Sequence, residues 1–210
     1  MDTEGVTKYI EDFQESPPVD INSIKELNTW RKILFFKGLI GRKETRYNGK
    51  GYGNVSQRVN GRSFIITGSQ TGHLEDLTAE HYTTIKEYYP EENKVISQGP
   101  IKASSESMTH GSIYNADNSI GFVFHVHSPT IWRYAKPLGI PMTRENVEYG
   151  TPEMAREVER LFNETNVRKL NIFSMGGHED GIFSFGKIAD IAGSLIFNYL
   201  SKAHEMSLKI

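Results

Sequence analysis

Apolar positions recur along the chain with two different periods. Ile24, Leu27, Trp30 and Leu34 are spaced for one face of a helix starting near Asn22, and Gly38 and Gly41 follow as stop signals. Next, GKGYGNVSQRV runs into Asn60-Gly61, a dipeptide suited to a type I′ turn, and then SFIIT. This predicts two strands joined as a hairpin. Residues 77–89 mix polar and aromatic side chains without a clean period, and residues 93–96 read as a short strand before Gly99-Pro100. Ser104 and Ser105 are N-cap types, and Met108, Ile113 and Tyr114 then give a helix ending near Asn115. IGFVFHVHS reads as a strand from its branched and aromatic content. Residues 152–162 are predicted helical, with Met154, Val158 and Leu161 on one face and Thr151 as the cap. LNIFSM and GIFSFG are two more strands, and a last helix carries Ile188, Ile191, Leu195 and Tyr199 on one stripe. The order of elements predicts a mixed sheet with helices packed over it. Residues 1–20 are polar and end in Ser16-Pro17-Pro18, so they are expected to form an arm, with one domain over residues 21–210.

A chain of 210 residues suits one large domain with a single sizeable core. Its formal charge is −2, with 24 basic and 26 acidic residues interspersed. No block of like charge is present to follow a nucleic-acid backbone or an anionic membrane, so neither is an expected partner. The stretch MDTEGVTKYIEDF is acidic and has no apolar core, and no window approaches the roughly 20 apolar residues of a membrane span. A soluble, cytoplasmic protein is the expectation. There is no cysteine, so a metal site must be built from imidazole, carboxylate or water.

Alternate residues of a strand share a face, so His125 and His127 can converge on one ion while Val126 points away. A third imidazole would complete a three-histidine site with an open position. The best candidate is His178, in the loop GGHEDG, where missing side chains permit unusual backbone paths. The competing reading is a pair of half-buried polar residues with ordinary hydrogen bonds, and two imidazoles in one short apolar strand weigh against it. His110 lies four residues after Glu106, which favours a structural i,i+4 pair, and His73, His81 and His204 are expected at the surface. Ser104-Ser105-Glu106 offers hydroxyls and backbone N–H groups at a helix start, suited to an anion or to simple capping. GKGYGN lacks the ending of a P-loop and precedes a strand, so a mononucleotide site is rejected; Asn54 either approaches a ligand there or completes a plain turn.

Taken in order, GNVSQR, FIITGSQTG, SSESMTHGSIY, FVFHVHSP and GGHEDGIFSFGK resemble the class II aldolase/adducin family over approximately residues 24–199. The resemblance implies an α/β fold, a three-layer alpha/beta/alpha sandwich with a central, mostly antiparallel sheet. It also implies a homo-oligomer, a tetramer in most members, with sites between subunits. By that match His125, His127 and His178 are the metal ligands, with zinc as the expected divalent ion, and Glu106 is the catalytic base. Asn54, Ser104 and Ser105 match phosphate-binding positions, and Ser69 and Gln70 lie where another phosphate loop occurs.

Three departures from the family pattern stand out. TGSQTG replaces a shorter Thr-Pro-Ser/Thr-Gly loop, the segment after the HxH strand is short, and no aromatic residue follows Tyr199. The catalytic Tyr or Asp of the family is therefore missing, with Tyr149 or Tyr134 as possible substitutes. Glu179 and Asp180, inserted after His178, would put a carboxylate near the metal or form a solvated loop tip. The function implied is a metal-dependent lyase or epimerase acting on a small hydroxy-ketone, a sugar phosphate, through a metal-chelated enediolate. The alternatives are an adducin-like assembly module without catalysis and a related sugar-phosphate dehydratase.

Overall fold

In the computed structural model, which describes residues 6–208, the described residues form ten strands and six α-helices. They are β1 (Ile10–Glu15), α1 (Lys25–Phe36), β2 (Gly41–Arg42), β3 (Gly51–Tyr52), β4 (Asn54–Asn60), β5 (Ser63–Thr67), β6 (Tyr82–Tyr89) and β7 (Lys94–Gly99). Then follow α2 (Ser107–Ala116), β8 (Phe122–His127), α3 (Pro129–Tyr134), α4 (Pro152–Glu164), α5 (Val167–Leu170), β9 (Ile172–Ser174), β10 (Gly181–Gly186) and α6 (Ala189–Ser207). Eight strands form one sheet in the order β1-β7-β6-β5-β4-β8-β10-β9, and β2 and β3 pair separately. Within the large sheet only β1 and β7 run parallel; every other pair is antiparallel.

The alternation of side chains along β8 divides the core in two. Val123 packs with Met108, Tyr114, Val158 and Phe183 on the side of α2 and α4. Phe122, Phe124 and Val126 pack with Leu27, Leu34, Ile131 and Ile196 on the side of α1, α3 and α6. The result is the expected three-layer alpha/beta/alpha sandwich. His125 and His127 share the parity of Val123, so both project toward α2.

Several local expectations hold for the reasons given. Gly38 adopts φ +67 just past α1 and lets the last turn close, with the Leu39 N–H donating to the Leu34 carbonyl at 3.0 Å. Thr151 Oγ1 accepts from the Met154 N–H and caps α4. Others need correction. The β4–β5 turn is centred on Gly61-Arg62, not Asn60-Gly61, and of the three only Gly61 has a positive φ, so it is not type I′. A register shift between Arg58 and Asn60 moves the turn along by one residue. In α6 the buried stripe is Ala192, Ile196, Tyr199 and Ala203, while Ile188 and Ile191 are exposed. Small residues face inward there because the helix lies close to its neighbours: a Cβ on Gly193 would meet the Trp30 ring at 2.2 Å.

The ordered fold also begins before Asn22. Tyr9 is buried, and β1 adds to the sheet edge beside β7. Residues 1–5 of the expected arm lie outside the described residues.

Candidate metal centre

Residues 125 and 127 stand at the end of β8, between β4 and β10, with Asn54 opposite His125 on one side and Gly181 opposite His127 on the other. The third histidine arrives on the β9–β10 loop, whose glycines serve close approach: a Cβ on Gly176 would lie 2.3 Å from the Thr143 carbonyl oxygen, and one on Gly177 2.3 Å from that of Val147. Residues 143–147 therefore press directly on the loop and drive His178 inward.

The Nε2 atoms of His125 and His127 are 3.2 Å apart, as are those of His127 and His178. One ligand atom from each of the three histidines falls within 4.8 Å of the others. An ion about 2.0–2.1 Å from each nitrogen at tetrahedral angles would set them about 3.3 Å apart, so the donor set fits a divalent cation. All three rings are buried. Burial holds His125 and His127 well below the usual imidazole range, with the neighbouring His178 charge acting in the same direction. Each ring is thus neutral at neutral pH, with a proton on one nitrogen and a lone pair on the other, the form a metal requires. An aromatic ring fixes each imidazole. Phe183 stacks on His125 at 4.5 Å, Tyr47 meets His127 at 4.6 Å, and Tyr149 meets His178 at 4.7 Å.

Glu106 is the N-cap residue of α2 and is 1% exposed. Its Oε1 lies 3.9 Å from Nε2 of both His125 and His178, and its Oε2 accepts from Thr109 Oγ1 at 2.9 Å. The carboxylate is thereby aimed at the imidazole cluster. Ser104 and Ser105, expected as caps, belong to the turn that precedes α2, in which the Ser107 N–H donates to the Ser104 carbonyl at 3.0 Å.

The His110 backbone N–H donates to the Glu106 carbonyl at 3.1 Å, and its ring is engaged elsewhere. Its Nε2 lies 2.6 Å from Asn54 Oδ1 and its Nδ1 2.6 Å from Ser56 Oγ, which is 2.8 Å from the Tyr114 hydroxyl. Burial lowers its pKa to about 3, so the ring is neutral. With Asn54 Oδ1 as acceptor, the proton sits on Nε2, and Nδ1 accepts from Ser56. His73 and His204 are exposed as expected, and half-buried His81 accepts from the Thr78 N–H in a short turn.

Next to the imidazoles, Asn54, Ser69, Gln70, Ser104 and Ser105 line one cleft together with glycines 51, 53, 68 and 72. These five side chains come from the start of β4, the β5–β6 loop and the approach to α2. Glycine is required in the floor, where a Cβ on Gly72 would lie 2.7 Å from the Gly41 carbonyl oxygen. The N-terminal segment backs this cleft. Tyr9 OH donates to the Ser104 carbonyl at 2.7 Å, and Glu11 Oε1 accepts from the Ala103 N–H at 2.8 Å.

Sequence reasoning missed Tyr47 and left Asp180 open between a carboxylate near the metal and a solvated loop tip. Asp180 is not a solvated loop tip: it is 8% exposed, and its Oδ2 accepts from the Tyr47 hydroxyl at 2.5 Å and from Arg46 Nη2 at 3.1 Å. Burial and the Asp180 hydrogen bond push the Tyr47 phenol upward, so it stays protonated. Tyr47 sits in an ambiguous polar run with no periodicity to signal it. Of the proposed substitutes for the missing tyrosine, Tyr149 touches the centre through its ring, while its hydroxyl donates to the Val6 carbonyl at 3.2 Å. Tyr134 lies on α3, among the helices of the opposite layer.

A sequence profile described as the Class II Aldolase and Adducin N-terminal domain matches residues 43–193. No curated protein matches. Among solved structures, L-fuculose-1-phosphate aldolase from Thermus thermophilus superposes with a TM-score of 0.66 at 21% identity, covering 90% of this chain and 95% of that one. A sugar-phosphate aldolase from Thermotoga maritima gives 0.65 at 16% identity over 90% and 94% of the two chains. The N-terminal class II aldolase domain of a conserved protein from Thermoplasma acidophilum gives 0.61 at 14% identity over 91% and 96%. At these identities the likeness is one of fold. No helix among the described residues is long and apolar enough to cross a membrane.

Proposed function

Because the chain belongs to the class II aldolase and adducin family, we propose that it is a metal-dependent lyase or epimerase acting on a small phosphorylated hydroxy-ketone, with carbon–carbon cleavage as the favoured reaction. His125, His127 and His178 would hold the ion, and zinc suits three imidazoles with an open position. A divalent ion bound there supplies Lewis acidity to the substrate carbonyl and its neighbouring hydroxyl. Glu106 takes and returns the substrate proton; Thr109 holds one of its oxygens and leaves the other facing the imidazoles. Asn54, Ser69, Gln70, Ser104 and Ser105 would bind the phosphate through hydroxyl, amide and backbone N–H donors. The Asn54 carbonyl is engaged by His110, which leaves its amide nitrogen as the donor for a ligand.

One observation carries this reading: the polar cleft and the imidazole cluster share their scaffold. Asn54 of the cleft is the cross-strand partner of His125, and Ser105 of the cleft immediately precedes Glu106. The anionic end and the reactive end of one small molecule would thus be held on either side of a single carboxylate. Four buried, closely set ionisable groups cost desolvation free energy, which an adducin-like assembly module has no need to spend. We further propose a cytoplasmic homotetramer with the site near a subunit boundary, and a domain of residues 21–210 whose edge is completed by β1 (Ile10–Glu15).

The test is turnover of ketose phosphates and their unphosphorylated forms by the metal-loaded protein, with product detection that separates cleavage, epimerisation and dehydration. The wild type is expected to act on a phosphorylated substrate. Glu106→Gln should lose about 10²–10⁴-fold in rate while keeping its metal. A Glu106→Gln protein with full activity would remove Glu106 from proton transfer, and exclusive turnover of unphosphorylated substrates would overturn the role given to the cleft.

A further inference from the structure

The connection between β2 and β3 brings two side chains onto the imidazole cluster from outside the family's catalytic set. The Tyr47 ring lies against His127 at an interplanar angle of 71°, and the Tyr52 ring lies 5.4 Å from the same imidazole. The Arg46 guanidinium sits over both tyrosines, 4.8 and 5.1 Å from the ring centroids. From the opposite direction comes Asp180, two residues after His178. Its carboxylate accepts from Tyr47 and Arg46, Arg46 also donates to the Tyr47 oxygen, and the backbone carbonyl of Asp180 accepts from the Ser128 N–H, next to His127, at 2.8 Å.

We infer that Arg46, Tyr47 and Asp180 form a clamp that positions the imidazoles of His127 and His178 for metal binding, an inference that rests on reading the three histidines as a metal centre. Three links close around the two ligands: the Tyr47 ring on His127, the Tyr47–Asp180 hydrogen bond across to the His178 loop, and the Asp180 carbonyl back to the end of β8.

The backbone is consistent with a clamp. Tyr47 and Asp180 both adopt positive φ, at +49 and +64, a region costly for residues with a Cβ. Such conformations persist where surrounding contacts over-determine them. An incidental surface ion pair would be a poor match, because the Asp180 side chain is only 11% exposed and that of Arg46 24%. Contacts that orient a ligand ring from outside typically change metal affinity by about 10–100-fold.

The experiment is titration of chelator-stripped, full-length protein with Co²⁺, following visible absorption, for the wild type, Tyr47→Phe and Asp180→Asn. Melting temperatures of the metal-free forms are recorded alongside. Tyr47→Phe keeps the ring on His127 and removes only the donor, while Asp180→Asn keeps an acceptor and removes the charge. The clamp predicts Co²⁺ affinity reduced about 10–100-fold in Tyr47→Phe, a change in the cobalt spectrum, and little change in the metal-free melting temperature. Asp180→Asn should weaken binding in the same direction, and it carries the test if Tyr47→Phe does not fold. Variants that bind Co²⁺ within twofold of wild type with an unchanged spectrum would overturn the clamp. So would a lower melting temperature at unchanged affinity, which assigns the trio to fold stability. A wild type that takes up no Co²⁺ would instead bring down the metal centre itself, and the clamp with it.

Discussion

Burial leaves His110, His125 and His127 uncharged in the folded chain, and each has a folded pKa below the unfolded value near 6.5. The unfolded state therefore takes up protons that the native state refuses as pH falls below about 6.5. Stability is full above that pH and declines on acidification, each group contributing to the loss until its folded pKa is reached. For His110 that limit is about 3. Urea midpoints of metal-free protein should accordingly fall steeply between pH 6.5 and 4.5, and a flat profile across that window would contradict neutral burial of the three rings. The pairing of His125 with His127 was legible in the sequence because a strand puts alternate residues on one face. The partners of His110 were not, since Ser56 and Asn54 are 54 and 56 residues away and are brought together only by the β4–α2 packing. Asp180 and Tyr47 were hidden for the same reason: they meet across 133 residues.

The elements that matter most for the centre are the shortest. The chain between β8 and α4 is held by Glu157, which accepts from the Arg144 N–H at 2.9 Å and from Arg160 at 2.8 Å. So anchored, it presses Val147 and Tyr149 against the His178 loop. Gly177 sits at that contact, where an added Cβ would meet two backbone carbonyls, at 2.3 and 2.8 Å. Backbone yields less readily than a side-chain tip, so Gly177→Ala should cost about 1–3 kcal/mol in urea unfolding and weaken metal uptake as His178 is displaced. Unchanged stability would mean that the loop is slack. The glycine run did mark a special backbone path in the sequence. Its cause was not legible, because these glycines serve close packing with a segment about 30 residues earlier, and not a left-handed turn. Strands and helices with strong periodicity were readable as elements. The inward stripe of α6 held at Leu195 and Tyr199 but was misplaced at its start, where alanine and glycine, not the larger Ile188 and Ile191, face a closely packed neighbour.

At the scale of the molecule, two apolar layers on either side of one sheet account for the sandwich, and the centre lies where β8 ends and β4 and β10 begin, beneath the start of α2. The N-terminal segment is part of this construction. Its polar sequence disguised a strand, since β1 is an edge with only alternate residues partly covered. Ile10, Phe36 and Val59 remain 67%, 61% and 50% exposed in the single chain, apolar area that the proposed homotetramer would cover. The proposed homotetramer predicts a mass of four chains by light scattering at micromolar concentration, and a stable monomer would contradict it. The central claim is that three imidazoles hold one divalent ion. Anomalous diffraction from crystals of the zinc-loaded protein, recorded at the zinc edge, tests it most directly. The account predicts one peak per chain, about 2.0–2.1 Å from Nε2 of each of His125, His127 and His178; crystals with no peak there, or with a peak coordinated by other residues, would contradict it.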